Sequence, residues 1–500
     1  MMAWWQNIPF FTILLCLLSG AICSVLPAKA ARAWVSAVLG VCFTGGILLL
    51  AYLRPGKEAS FVYMMGHFPA PWGNEIRCGQ LEAYLACLFP FVMGCALLGG
   101  RDALRYPEKG VRESLYLALC MLLMAALLSQ VYSNDLFTCY VFLEVMTLSA
   151  CALIILRDHF PSLVAGLRYM VLNLVGSGLF LLGVVLLYDL TGHLLMENLR
   201  QAIAPLSASG EYQRSLTIII GLITTGLCVK SALFPFHAWV PEAYSASLPS
   251  SNAILSSLVS KGYIILLLKC YTRVFGWDLV QACRVDHLLM LFSFAGVIVG
   301  SLEALRARRF SRMIAWSSVA QIGYIYLGLS LGADAGYQAA LFHLSVHAVS
   351  KSLLFLSGDA LRRQVGGSDW FPDLRGTARR QPLAGVCWTV AAFSMVGLPF
   401  TGGLVSKLLL GEAALSHSPP IAVATLLVLA LSTFLNVCYF LRTVLLLWSP
   451  FDRLGVPAPL RRTSSPALAA CGALALAIFA SFVLAHSLAG LLSDGLIQFQ

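Results

Sequence analysis

The chain has 500 residues, of which 59% are hydrophobic and only 11% charged. A soluble domain carries about 25% charged residues, and barrel strands would be alternating segments of ~10 residues, so composition excludes both and points to an all-α polytopic membrane protein. The net charge of +10 reports basic loops beside a membrane rather than nucleic-acid binding.

The 15 cysteines are scattered, mostly in apolar segments, and form no CxxC, CxxCH or Cys/His cluster. Zinc, haem c and iron–sulfur spacings are absent, so no cofactor is expected, and the thiols read as small buried hydrophobes.

In chain order, residues 1–30 lack a basic n-region and read as a retained first span rather than a signal peptide. Fourteen apolar runs long enough to cross a bilayer are expected at about 8–26, 33–53, 80–99, 113–130, 133–156, 163–188, 215–238, 249–271, 286–304, 312–332, 338–360, 383–411, 418–447 and 466–492. The seventh and twelfth contain Pro235 and Pro399, within LFPF (233–236) and GLPF (397–400). These breaks lie five spans apart, and consecutive five-span units have opposite parity. The pattern predicts two inverted repeats, a pointer to a transport site. The expected division is 1–111 (spans 1–3), 112–275 (spans 4–8), 276–448 (spans 9–13) and 449–500 (span 14).

With the N-terminus outside, the cytoplasmic loops hold 20 Lys and Arg and the outer loops 8. That asymmetry predicts both termini on the outer face. Lys269 and Arg273 are counted in the outer loops, and five basic residues are counted in neither set: Arg168, near a span end, and Lys230, Lys261, Lys351 and Lys407. A lysine at the bilayer centre costs at least ~2.5–3.5 kcal/mol and marks function by default. Glu144, in YVFLEVMTLSA, is the one carboxylate near mid-span; Glu82 and Glu303 lie near span ends, where a structural role suits them.

The candidate proton relay is therefore Glu144, Lys230, His237, Lys261, His343, His347, Lys351 and Lys407. Burial lowers a lysine's pKa and a nearby carboxylate raises it, so an acid and a lysine in one hydrated cavity form a switchable pair. His343, His347 and Lys351 recur at i, i+4 and i+8 on one helix face, over about 12 Å of rise, and imidazole both donates and accepts protons near neutral pH. Against this stand blander roles. A buried lysine can simply cap carbonyls, His237 can cap a helix end, and either proline can be a plain kink.

The stretch FPFHAWVPEAYSASLPSSNAILSSLVSKGYI resembles the signature of the antiporter-like subunits shared by respiratory complex I, membrane-bound hydrogenases and Mrp-type multisubunit Na+/H+ antiporters. The likeness continues in RRFSRMIAWSSVAQIGYIYLGL, FHLSVHAVSKSLLFLSGDAL and MVGLPFTGGLVSKLLL, and GHFPAPWGNEIRCGQLEAYL resembles the early loop of Mrp D-type subunits. The resemblance implies fourteen spans, broken seventh and twelfth helices, and proton-carrying roles for Glu144, Lys230, Lys261, His347, Lys351 and Lys407. Tyr244 stands where complex I subunits usually have histidine, and Lys407 where the M-type subunit tends to have glutamate. The family's aspartate ahead of the third span is missing, with Cys78, Gly79 and Gln80 near its place.

The expectation is a proton-translocating subunit of an Mrp-like antiporter or an ion-pumping membrane hydrogenase, in the inner (cytoplasmic) membrane. Its partners would be the bilayer, other membrane subunits and protons, with Na+ left open. A membrane-arm subunit of a complex I-like NADH/quinone oxidoreductase is the alternative, and an ion-inactive scaffold a third reading. Any redox catalysis would then belong to partner subunits.

Overall fold

A computed structural model describes residues 4–53, 60–68, 74–105, 113–157, 159–450 and 463–499. Thirteen of its helices are long and apolar enough to cross a membrane. They are Trp4–Val25, Ala28–Tyr52, Gln80–Gly99, Glu113–Tyr132, Leu136–Ile155, Phe160–Thr191, Gln213–Ala246, Pro249–Phe275, Val285–Arg306, Phe310–Leu331, Asp334–Val365, Pro419–Trp448 and Ser465–Val483. The twelfth expected span is present in two pieces, Pro382–Val396 and Gly402–Leu415, separated at Pro399. With this pair counted, the described residues form fourteen crossings. The last expected span is shorter than predicted, because the chain turns at Leu484 into a separate helix, Ala485–Phe499.

The packing is ordered by polarity. Pro249–Phe275, Phe310–Leu331 and Asp334–Val365 are the least apolar of the thirteen spans and are almost wholly buried. Ala28–Tyr52 and Ser465–Val483 leave most of their surface outward. Hydrocarbon solvates leucine as well as a protein core does, so the spans carrying lysine, histidine and serine are the ones driven to the middle.

Both broken helices end in the same way. Ala232 (φ 67°) and Gly397 (φ 89°) take the left-handed conformation just past the last helical turn. The next amides then reach five residues back, Leu233 N–H to Cys228 O and Leu398 N–H to Phe393 O, both 3.0 Å. This Schellman-type ending satisfies carbonyls that the proline would otherwise strand. Glycine takes that conformation freely, whereas Ala232 does so at a steric cost.

Three features lie beyond the span-by-span expectation. Residues 60–79 contain an antiparallel hairpin, Ser60–Met64 with Glu75–Gly79, in register Ser60↔Gly79 to Met64↔Glu75. Residues 69–73 of the early loop fall outside the described residues. A further helix, Met196–Ser209, links the sixth and seventh spans. The eighth span is not uniformly α-helical: Leu255–Val259 and Cys270–Phe275 are π-helical, and such bulges occur frequently at functional sites.

One local contact is sterically demanding. The Phe160–Thr191 and Gln213–Ser231 helices touch through Gly176 and Gly226. A Cβ on Gly226 would lie 2.6 Å from Gly176 O and 2.7 Å from Phe180 N. A Cβ on Gly176 would lie 3.0 Å from the Lys230 stem. Gly226→Val is expected to push the helices apart and destabilise the protein by about 1–3 kcal/mol, read as a lower unfolding temperature of the purified protein. An unchanged temperature would show that the helices separate freely here.

Candidate functional site

The Glu144 carboxylate and the Lys230 ammonium face each other at 3.7 Å between the fifth and seventh spans. Lys230 is fully buried, whereas the Glu144 side chain keeps 24% of its surface exposed. At that separation the pair is electrostatic, without a direct hydrogen bond. Lys230 Nζ instead donates to Thr147 Oγ1 at 2.7 Å, and Thr147 Oγ1 lies 3.1 Å from the Tyr263 hydroxyl. The ammonium also sits 5.4 Å from the centre of the Tyr263 ring. Thr147 is one helical turn beyond Glu144, so both project toward the same lysine.

Tyr263 leads onto the eighth span, two residues from Lys261. Lys261 is fully buried and donates to Ser256 O and Ser260 Oγ. Ser256 lies in the π-helical segment, and its hydroxyl meets Ser318 Oγ at 3.1 Å. Beside it, Ser317 accepts from Lys351 Nζ, which also donates to Ile314 O at 3.0 Å. The tenth span thus joins Lys261 to Lys351 through two adjacent serines.

From Lys351 the polar groups run along the eleventh span. The rings of His347 and His343 lie 6.3 Å apart, His343 stacks on Tyr324 at 5.4 Å, and His343 Nδ1 is 3.0 Å from Ser406 Oγ. The next residue is Lys407, whose Nζ donates to Val396 O at 2.6 Å and Thr433 Oγ1 at 3.0 Å, 5.5 Å from the centre of the Tyr324 ring. Val396 is the last residue of the first half of the broken twelfth helix. Lys407, on the second half, therefore bonds to the free carbonyl end of the first, where the helix dipole favours a cation.

Several groups along this course have no hydrogen-bond partner in the structure. They are both nitrogens of His347, His343 Nε2, Gln321 Oε1 and Nε2, and Glu144 Oε1. Buried polar atoms are nearly always satisfied by protein or ordered water, so the arrangement has the chemistry of a hydrated line. Seven of the eight residues expected in the relay lie along this course. His237 does not: its ring lies against Phe234 (5.2 Å) and Trp316 (5.4 Å) just past the helix break, with Nδ1 unbonded. No described hydrogen bond joins it to the lysines. Among the described residues no three His, Cys, Asp or Glu side chains converge to hold a metal.

Sequence reading missed the uncharged members. Ser317, Gln321 and Tyr324 occupy one face of the tenth span at i, i+4 and i+7. The signal was the polar period within IAWSSVAQIGYIYL.

It also misplaced two cations. Lys269 and Arg273 were expected in an outer loop, but the eighth span continues to Phe275 and buries both. Lys269 Nζ donates to the carbonyls of Gln130 (2.8 Å), Val131 and Ser133 (2.9 Å), closing the end of the fourth span. Arg273 pairs with buried Glu82 and donates from Nε to Phe499 O at 2.8 Å. These cations clamp structure, as Glu82 was expected to do. Arg168 pairs with Glu242 on the half-helix that follows Pro235.

Removing one member of a buried ion pair costs about 3–5 kcal/mol, because the other charge is stranded. Arg273→Met is therefore expected to reduce folded yield and unfolding temperature sharply, while Arg273→Met with Glu82→Leu recovers most of the loss. A double variant no better than the single would show that the pair is not the cause.

Comparison with known proteins places this geometry. A family model described as NADH:quinone oxidoreductase/Mrp antiporter, TM, matches residues 133–433. The chain is 34% identical over 419 residues to NADH-quinone oxidoreductase subunit N of Desulforudis audaxviator, covering 82% of this chain and 79% of that protein. It is 25% identical over 404 residues to the D-type subunit of a Na(+)/H(+) antiporter of Alkalihalophilus pseudofirmus, covering 80% and 79%. In fold it superposes on a chain of the Mrp complex from Dietzia sp. DQ12-45-1b with a TM-score of 0.88 at 22% identity, covering 100% of this chain and 98% of that one.

Proposed function

The chain belongs to the NADH:quinone oxidoreductase/Mrp antiporter membrane family, and on that premise we propose that it is a proton-translocating subunit of a multisubunit membrane complex. The observation that carries the reading is the Glu144–Lys230 pair at 3.7 Å, continued by Thr147 and Tyr263 toward Lys261. While Glu144 stays close, Lys230 is favoured as a cation; when the carboxylate withdraws or is neutralised, a buried amine has reason to give up its proton. The proton then has acceptors along Lys261, Lys351, His347, His343 and Lys407. His237 is left out of this path.

The division at 111, 275 and 448 into an N-terminal part, two inverted repeats and a final span is supported by the matching endings at Ala232 and Gly397. We assign the chain to an Mrp-like antiporter or an ion-pumping membrane hydrogenase on the strength of Tyr244, Lys407 and the early loop. The 34% identity to an NADH-quinone oxidoreductase protein favours a second reading, a membrane-arm subunit of a quinone oxidoreductase. Both readings use the same polar line, and neither places redox chemistry in this chain.

Lysine and arginine differ in one respect that tests the proton role: arginine keeps its proton at any working pH. Lys230→Arg and Lys230→Ala, in purified and reconstituted complex of verified subunit content, are expected to lose proton flux to a similar degree. An arginine variant running above about half the wild-type rate would contradict a carrier role, since a loss of ~1 kcal/mol is already roughly fivefold in rate.

Placement in the inner membrane with both termini outside rests on loop charge. Moving Lys269 and Arg273 out of the outer set lowers it from 8 to 6 against 20, although Arg54, Lys57, Lys109, Arg112, Arg453, Arg461 and Arg462 lie outside the described residues. In a background without native cysteines, Ser209→Cys should react with an impermeant thiol reagent added to intact cells and Arg308→Cys should not. The reverse pattern would invert the topology.

A further inference from the structure

Away from the polar line, a cavity of about 360 Å³ lies where the Ala28–Tyr52, Gln80–Gly99 and Glu113–Tyr132 helices meet at one end of the bundle. Three cations border it: Lys29 in the first turn of its helix, Arg32 one turn on, and Arg101 just past the end of another. Among the described residues one carboxylate, Glu113, lines it with them and pairs with Arg32 Nε at 3.0 Å. The charges therefore do not cancel. Nor are the donors used up: Arg32 Nη1 and Arg101 Nε are buried without a hydrogen-bond partner. The neighbouring Asp102 does not line the cavity, and its carboxylate accepts from Ser464 N–H at 2.8 Å.

Apart from Ser36 the remaining walls are apolar, with Val35, Leu98 and Leu117 among them. Leu98 is also exposed at the outer surface of the bundle, as is Trp34, which lies in the second turn of the same helix as Arg32 on a different face and bonds to Ser19. Tryptophan at a helix end marks the level of lipid headgroups. A basic recess at that depth, opening onto an apolar outer surface, combines a phosphate-binding end with room for acyl chains. Guanidinium forks match phosphate oxygens in geometry and charge, and basic pockets between spans on the cytoplasmic side take anionic lipid headgroups.

We propose that this cavity binds the phosphate of an anionic phospholipid, held by Arg101, Arg32 and Lys29 with its chains along Leu98. Free phosphate shares the headgroup chemistry but makes no use of the apolar wall. Glu113, paired with Arg32, offsets part of the positive charge and leaves Lys29 and Arg101 to supply most of what the phosphate meets. The lipid would tie the first three spans to the first repeat at their shared end.

The test uses the whole purified complex and a photoactivatable phosphatidylglycerol with a diazirine near its headgroup. Wild type should be labelled within residues 97–104, and Lys29→Gln with Arg101→Gln should lose at least fivefold of that labelling. Phosphatidylcholine carrying the same diazirine should label weakly, and millimolar inorganic phosphate should not compete. Equal labelling of variant and wild type, equal labelling by phosphatidylcholine, or displacement by inorganic phosphate would each overturn the proposal. If the double variant unfolds at a lower temperature in detergent, Lys29→Gln alone decides, since Lys29 is exposed. It should lower labelling by at least twofold, and an unchanged level would refute the site.

Discussion

A lysine ammonium inside a bilayer must be surrounded by oxygens or it will not stay charged. Much of the architecture follows from that demand. Lys230 has Thr147 and the Glu144 carboxylate, Lys261 has Ser256 O and Ser260, Lys351 has Ser317 and Ile314 O, and Lys407 has Val396 O and Thr433. Three of the four use a backbone carbonyl. Val396 O lies at a helix interruption and Ser256 O in a π-helical turn, while Ile314 O is reached from a neighbouring span. The irregular backbone and the buried charges are thus two aspects of one solution.

Among the described residues only Lys230 of these four has a carboxylate beside it, and this asymmetry separates it from the other three. Lys269 and Arg273 show the contrasting use of a buried cation. Lys269 is fixed by three carbonyls and Arg273 by an ion pair, a carbonyl and the Phe499 ring at 4.1 Å. A cation so fully bonded has little freedom to exchange a proton. A cation with one hydroxyl and one loosely held acid, as at Lys230, has much more.

The spans were legible because a bilayer writes its thickness into apolar run length, and the breaks because proline cannot continue a helix. Glu144 and the four lysines stood out because charge is rare in such runs. The boundary of the eighth span was not legible. Lys269 and Arg273 looked like loop residues, since a sequence window cannot know that Glu82 and the end of the fourth span wait for them. Ser317, Ser318 and Gln321 were obscured by their neutrality, although their helical spacing was present. His237 carried the right chemistry for a relay, but the turn after Pro235 directs it against Trp316 instead.

The claim on which the rest depends is that the Glu144 charge governs Lys230. Glu144→Gln keeps the side chain's shape and removes that charge. Cation-dependent proton flux should be measured in everted vesicles, with the variant's expression and complex assembly matched to wild type. The account predicts flux near background in a fully assembled complex. Flux at the wild-type level would contradict it.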